Sequence, residues 1–367
     1  MAIFAHALAV SGYRSYDLFD LDLADGVNVL VGPNAAGKTN LIEAVQLLTA
    51  GQSFRRPAPR DLVREGAGRA RIALRLEGEG RIVDMACEIE AGKRRFTRNG
   101  KHVSAGGVRG ILPSVLFCPD HLDMVKRSAG VRRQALDDFG CQLNEAYAAL
   151  VAGYERTLEQ RNSLLRDGTA TPALLAAWDE ALASAGAALV LHRKALLARL
   201  GERLAAVYAA IAPHEEARAS YVSTLEVEGE ELPRERGALT ERFLALLDDH
   251  RAEELRRGTT VVGPHRDEVL LEIDRRPARA FGSQGQQRSL VLAWKIAEVE
   301  VTHDILGRYP ILLLDDVMSE LDAARRDAIV RFIEGEIQTV ITTTNLGYFG
   351  EDVLGPAKVV RIGAETR

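Results

Sequence analysis

The sequence predicts an α/β fold in which one mixed-sheet domain is interrupted by a helical one, and three observations carry that expectation. A short, mostly β-branched run at 27–31 leads through a glycine-rich loop into a helical pattern. After Gly258, strand and helix patterns alternate around the solid apolar run 311–314. Between about 120 and 255 the chain is Ala- and Leu-rich and helical in texture. Alternating strands and helices near the C-terminus imply parallel pairing with the strand before the loop. Residues 1–120 and 258–367 are therefore expected to form one domain, with 121–257 inserted as a helical lobe.

Val27, Val29, Leu30 and Val31 make the first strand, and Leu41, Ile42, Val45, Leu47 and Leu48 fall at helical spacing. Between them, Gly32-Pro33-Asn34-Ala35-Ala36-Gly37-Lys38-Thr39 matches G-x-x-x-x-G-K-[ST]. Glycines let backbone N–H groups approach phosphates, the lysine supplies a cation to the β and γ groups, and the threonine hydroxyl can hold Mg²⁺. Strand, loop, helix aims a helix N-terminus at an anion. Residues 32–39 with Asn40 are the expected nucleoside triphosphate ligands.

Residues 71–76 alternate, 83–90 run into Gly92, and 94–98 run into Asn99-Gly100, a strong hairpin signal. An antiparallel meander beside the nucleotide site is expected. From Leu174, the positions Trp178, Leu182, Ala185, Leu189, Leu196, Leu200, Leu204, Val207 and Ile211 recur at helical steps. That helix would be about 57 Å long at 1.5 Å per residue. It either breaks, at Gly186 or Gly201, or projects as an arm, or folds back on a core. Strands follow at 259–262 and 269–273, a helix at 286–302, a strand at 311–314, a helix at 323–333, and strands at 340–343 and 358–362.

The 311–314 run ends in Asp315-Asp316. A carboxylate at a strand tip beside a phosphate loop is placed to hold Mg²⁺, the role expected of Asp315 with Thr39. Asp316, one step on, is the expected base orienting the attacking water, with Lys38 the other catalytic residue. Ser319-Glu320-Leu321-Asp322 follows. Upstream, Ser283-Gln284-Gly285-Gln286 opens a helix, and Ser283 with Gln286 makes a capping box.

Size and composition limit the class. At 367 residues, 47% hydrophobic and 27% charged, the chain reads as a soluble globular protein. No run of eighteen apolar residues occurs and the first residues lack a secretion signal, so a cytoplasmic protein without a membrane partner is expected. Cys87, Cys118 and Cys141 fit neither a disulfide framework nor a metal pattern. The net charge of −5 confines any nucleic-acid surface to a local patch. One such patch is 93–101, with Lys93, Arg94, Arg95, Arg98 and Lys101 and no acid. Arg55, Arg56 and Arg60 make a second and Arg132-Arg133 a third; clusters of this kind contact phosphates. Gly263-Pro264-His265-Arg266-Asp267 is polar and rigid, and His265 reads as a structural hydrogen-bonding residue.

These motifs together resemble the ATP-binding cassette superfamily, in its chromosome-maintenance and DNA-repair branch with the SMC and Rad50 proteins. Within it the chain is similar to the RecF family of bacterial recombinational repair. The resemblance rests on Ser11-Gly12-Tyr13-Arg14-Ser15-Tyr16, Asn40-Leu41-Ile42-Glu43-Ala44 and Gly51-Gln52-Ser53-Phe54-Arg55. It continues in Phe117-Cys118-Pro119-Asp120-His121-Leu122 and Gly263-Pro264-His265-Arg266-Asp267, and covers essentially the whole chain. It implies an ABC-type ATPase head binding ATP and Mg²⁺. It implies that Ser283, Gln284, Gly285 and Gln286 act in trans on ATP held by a second copy, with Ser319 and Asp322 in the loop after the acidic strand. An ATP-dependent head-to-tail homodimer on duplex DNA or gap junctions would follow, released by slow, DNA-stimulated hydrolysis. RecO and RecR would be partners in loading the recombinase, supporting replication restart and the SOS response. The sequence departs from the superfamily at Asp316, where a glutamate is usual, and at Thr344-Asn345, where a switch histidine is usual; Asp120 is the candidate for the residue linking Mg²⁺ to the lobe. A transporter ATPase is the alternative. Lys38 and Ser283 stand 245 positions apart, farther than transporter cassettes use, which argues against it.

Overall fold

A computed structural model describes residues 3–167, 171–333 and 336–363, which fall into two compact units. The first comprises Met1–Leu122, Ala210–Pro213 and Arg288–Arg367. Five strands form its parallel sheet, in the order Lys358–Arg361, Val27–Val31, Thr339–Thr343, Ile311–Asp315, Ser114–Phe117. The strand before the phosphate loop therefore lies inside the C-terminal strands, as the alternating pattern predicts. Burial on both faces explains the unbroken apolar run 311–314.

A six-stranded antiparallel sheet runs in the order Tyr16–Asp22, Ile3–Tyr13, Arg69–Gly78, Arg81–Glu90, Lys93–Arg98, Lys101–Val103. The Asn99-Gly100 turn has both φ values positive, 48° and 75°, matching the twist of the flanking strands. The loop helix, Lys38–Thr49, is packed in a core shared by both sheets. Its Leu41, Ile42, Val45, Leu47 and Leu48 belong to one buried cluster with Leu30, Leu313 and Val340 of the parallel sheet and Leu8, Ile72 and Leu74 of the antiparallel sheet. Each such side chain contributes roughly 1.5–3 kcal/mol, so the core that folds the unit also fixes the helix beside the loop.

The second unit, Asp123–Ala209 with His214–Gln287, is built on helices Ala129–Leu143, Glu145–Asp167, Pro172–Ile211 and Arg236–Asp249. It also holds an antiparallel sheet in which Glu268–Ile273 pairs with Ala217–Val222. That pairing moves the end of the unit from the expected 257/258 to Gln287/Arg288, because residues 268–273 find their ladder inside the helical unit. The strand Ala217–Val222 had no signal strong enough to separate it from helical surroundings.

The long helix is continuous over 40 residues, with buried residues from Leu175 to Tyr208, so it packs along its length instead of projecting as an arm. Gly186 is no break. A Cβ there would come within 2.6 Å of the Phe243 ring, so glycine permits close packing. This helix is long and apolar enough to cross a membrane. Its buried face nevertheless carries Asp179, paired to Arg161, and Arg193, paired to Asp137, and its apolar residues form the unit's core. Residues 259–262 do not form the expected strand. Two of their amides bind side chains instead: Thr260 N–H donates to Asn162 Oδ1 at 2.8 Å and Val261 N–H to Glu254 Oε1 at 3.0 Å.

Candidate nucleotide site and its surroundings

The phosphate loop and the acidic strand meet at the carboxyl ends of the parallel strands, where ligands bind in open α/β sheets. Gly37 has φ 98°, a conformation glycine adopts without strain, and it turns the chain into the helix. Lys38 is buried, and its Nζ donates to Gly32 O at 2.7 Å and Pro33 O at 2.8 Å. Burial lowers its pKa, against the pull of Asp316 and Asp315. Thr39 Oγ1 donates to Asp315 Oδ1 at 2.9 Å across 276 positions of sequence. Asp315 is raised above the usual carboxylate range by burial, while bonds from Thr342 and Thr39 and the Arg55 guanidinium act the other way. Asp316 is also raised by burial, opposed by Lys38; its backbone is left-handed, φ 53°, and its buried Oδ1 has no hydrogen-bond partner among the described residues. A hydroxyl and a carboxylate in contact are a hard-oxygen pair of the kind Mg²⁺ takes, with phosphates and water completing its shell. These residues fit that ion.

Three segments that carry the family resemblance converge on Glu43, which is fully buried. It accepts from Arg14 Nε and Nη2 at 2.9 and 2.7 Å, Tyr13 OH at 3.1 Å and Ser53 Oγ at 2.5 Å. Ser15 Oγ accepts from Asn40 Nδ2 at 3.2 Å. Arg55, expected on a DNA surface, stands at the nucleotide site: its Nη1 lies 3.4 Å from Asn40 Oδ1 and 3.9 Å from Glu43 Oε2. Asp120 is exposed in the turn Pro119–Leu122. Thr343 and Asn345 bond to one another, and Asn345 caps the next turn through Gly347 N.

The capping box forms as expected. Ser283 N–H donates to Gln286 Oε1 at 2.8 Å and Gln286 N–H to Ser283 Oγ at 3.2 Å, opening helix Gln284–Leu306. Gln286 Nε2 also donates to Glu215 Oε1 at 2.9 Å, a partner no motif indicated. Ser283 and Gln284 are both exposed. In the other unit, the exposed Ser319 donates to Asp316 O at 2.9 Å, and Asp322 Oδ1 accepts from Arg325 N at 3.0 Å to start helix Ala323–Ile333.

A family model described as the RecF/RecN/SMC N terminal domain matches residues 4–357. The protein described as DNA replication and repair protein RecF in Gloeobacter violaceus is 40% identical, over 98% of this chain and 97% of its own. This chain belongs to the RecF family. The RecF of Heliobacterium modesticaldum is 37% identical over 98% of this chain and 97% of its own. A solved structure described as the recombination mediator protein RecF with ATP in the RecFOR pathway superposes with TM-score 0.88 at 29% identity, covering 95% of this chain and 94% of that one. The SMC head domain of Pyrococcus furiosus, at 16% identity and TM-score 0.56, shares the fold. The RecF fold is thus an ABC-ATPase head, of mixed α/β sheets with a helical insertion.

The basic residues divide. Arg132 is buried and bidentate to Glu268 at 2.9 and 2.7 Å, and Arg133 donates to Asp267 O, so this pair is structural and no DNA patch. Asp267 also accepts from Tyr221, Ser223 and Thr224, and His265 bonds Tyr154 OH at 2.8 Å and Thr260 O at 3.1 Å. Lys93, Arg94, Arg95 and Arg98 are exposed on the meander. Register places Arg95 and Arg71 on either side of Glu88, and Lys93 and Arg69 on either side of Glu90. Directly opposite residues share a face, so each acid is bracketed by two cations. Arg69 and Arg71 were missed among the candidates, although the alternation of 69–75 places them on that face. Arg56 is exposed with φ 48°.

Proposed function

We propose that this chain is an ATP-switched DNA-binding protein of recombinational repair. The observation that carries the reading is the contact of Thr39 with Asp315, from opposite ends of the chain, beside an Asp316 oxygen that has no partner among the described residues. Residues 32–40 cradle the phosphates of ATP, and Lys38 supplies the cation. Thr39 and Asp315 hold Mg²⁺, which when bound screens the phosphate charge. Asp316 orients the attacking water; its short side chain suits a slow switch better than a fast motor. Ser283, Gln284, Gly285 and Gln286 of one copy present a capped helix N-terminus to the γ-phosphate on the other, with Ser319 and Asp322 at the same joint. Loss of that phosphate removes the bridge and releases the dimer. The cations around Glu88 and Glu90, with Arg94, Arg98 and Arg56, track DNA phosphates by backbone and shape. Partnership with RecO and RecR in the cytoplasm, and support of replication restart and the SOS response, follow from the family. The transporter reading has no observation in its favour.

Sedimentation with ATP and duplex DNA tests the reading. Wild type is expected to dimerise with ATP, and Ser283→Arg to bind nucleotide yet stay monomeric. A wild type that ATP neither dimerises nor ties to DNA sinks the proposal; a dimerising Ser283→Arg sinks the trans role of the helix.

A further inference from the structure

One buried side chain outside every motif touches both members of the acidic pair. Thr342, in the strand Thr339–Thr343, has no exposed surface. The Asp316 amide can only donate, and its nitrogen lies 3.0 Å from Thr342 Oγ1 and 3.3 Å from the Thr342 carbonyl oxygen. The Thr342 hydroxyl has a single hydrogen, and that hydrogen is directed to Asp315 Oδ1 at 2.7 Å. The same Oδ1 accepts from Thr39 at 2.9 Å. One hydroxyl thus accepts from the backbone of one aspartate and donates to the side chain of the other. The backbone it grips is strained, because Asp316 has φ 53°, where aspartate is tolerated but not favoured.

We propose that Thr342 is a positioning residue for the hydrolysis described above. Its hydroxyl fixes the Asp315 carboxylate towards Thr39 and pins the left-handed turn that presents Asp316. The inference rests on the proposed ATPase reading and extends it to a residue that never touches nucleotide. Thr39 is free to turn its oxygen from Asp315 to a ligand; Thr342, enclosed in the strand, stays. A purely structural threonine would serve by its methyl group and strand preference alone.

Thr342→Ser and Thr342→Ala separate these roles, because both lose the methyl and only one keeps the hydroxyl. Three quantities are read in the full chain: the thermal midpoint, the Mg²⁺ concentration that half-saturates retention of a fluorescent ATP analogue, and kcat with KM for ATP. Thr342→Ser is expected within about twofold of wild type, whereas Thr342→Ala loses about 10–100-fold in kcat or in Mg²⁺ requirement, the range typical for partners behind a metal ligand. KM for ATP stays within about threefold in both, because neither variant alters the phosphate loop. A Thr342→Ala protein that matches Thr342→Ser in kcat and Mg²⁺ requirement overturns this inference alone. A wild type that neither retains nor hydrolyses ATP overturns the parent reading and this one with it.

Discussion

Lys38→Met should abolish nucleotide-driven assembly on DNA as well as hydrolysis, while leaving the fold intact. Methionine keeps the length and apolar stem of the lysine, so the buried part of the side chain still packs. What is lost is the ammonium that donates to Gly32 O and Pro33 O and sits in the field of Asp316 and Asp315. Hydrogen bonds to a charged group contribute about 1.5–3 kcal/mol each, and two made to phosphate oxygens would amount to a hundredfold or more in affinity. Removing the cation also leaves Asp315 and Asp316 uncompensated beside polyphosphate. Anisotropy of a fluorescent ATP analogue should show the lost affinity, and sedimentation with duplex DNA should show only monomer. The thermal midpoint without nucleotide should fall by only a few degrees, because the two lost bonds end on part-buried carbonyls that water can satisfy. If Lys38→Met still dimerises on DNA with ATP, the nucleotide is not the bridge between copies.

Much of the candidate nucleotide site was legible because its chemistry is local in sequence. A glycine-rich loop needs its glycines, lysine and threonine in consecutive order, so residues 32–39 announce themselves. The acidic strand is legible only in that company: four apolar residues followed by Asp315-Asp316 fit a strand ending in a solvated turn equally well, and the phosphate loop is what gives the pair a metal to hold. The capping box at Ser283 and Gln286 was readable for the same reason, since both partners lie in one turn. The rest was hidden by distance along the chain. Glu43 gathers Arg14, Tyr13 and Ser53 from three segments, and nothing in Asn40-Leu41-Ile42-Glu43-Ala44 says that its carboxylate is buried. Charge runs misled for the complementary reason. Arg132-Arg133 looks like Arg94-Arg95 in sequence, yet Glu268, which neutralises Arg132, lies 136 positions away. Residues 259–262 read as a strand because β-branched side chains suggest one, but side-chain acceptors on Asn162 and Glu254 claim the amides of Thr260 and Val261.

Arg161→Met should lower the thermal midpoint by about 10 °C, through a loss of about 3–5 kcal/mol that is typical when one partner of a buried ion pair is removed. Arg161 is fully buried, and every arm of its guanidinium is used. Nε donates to Asp179 Oδ1 at 2.7 Å, Nη1 to Thr260 Oγ1 at 2.7 Å and Nη2 to Glu254 Oε2 at 2.6 Å. These contacts tie helix Glu145–Asp167 to the long helix, to helix Arg251–Arg257 and to the irregular 259–262 segment. Methionine fills much of the volume, so the expected cost is electrostatic more than steric. Asp179 keeps Arg251, at 2.6 Å, but Glu254 is left buried and without a cation, with the neutral Val261 amide its remaining side-chain hydrogen-bond donor among the described residues. That asymmetry yields a sharper test than the single variant. Adding Glu254→Gln to Arg161→Met removes the stranded charge while retaining an acceptor for the Val261 amide. The double variant should therefore be more stable than Arg161→Met alone, and the coupling between the two positions should reach about 1–3 kcal/mol in a double-mutant cycle. Additive losses would show that packing, not the buried charge, sets the cost.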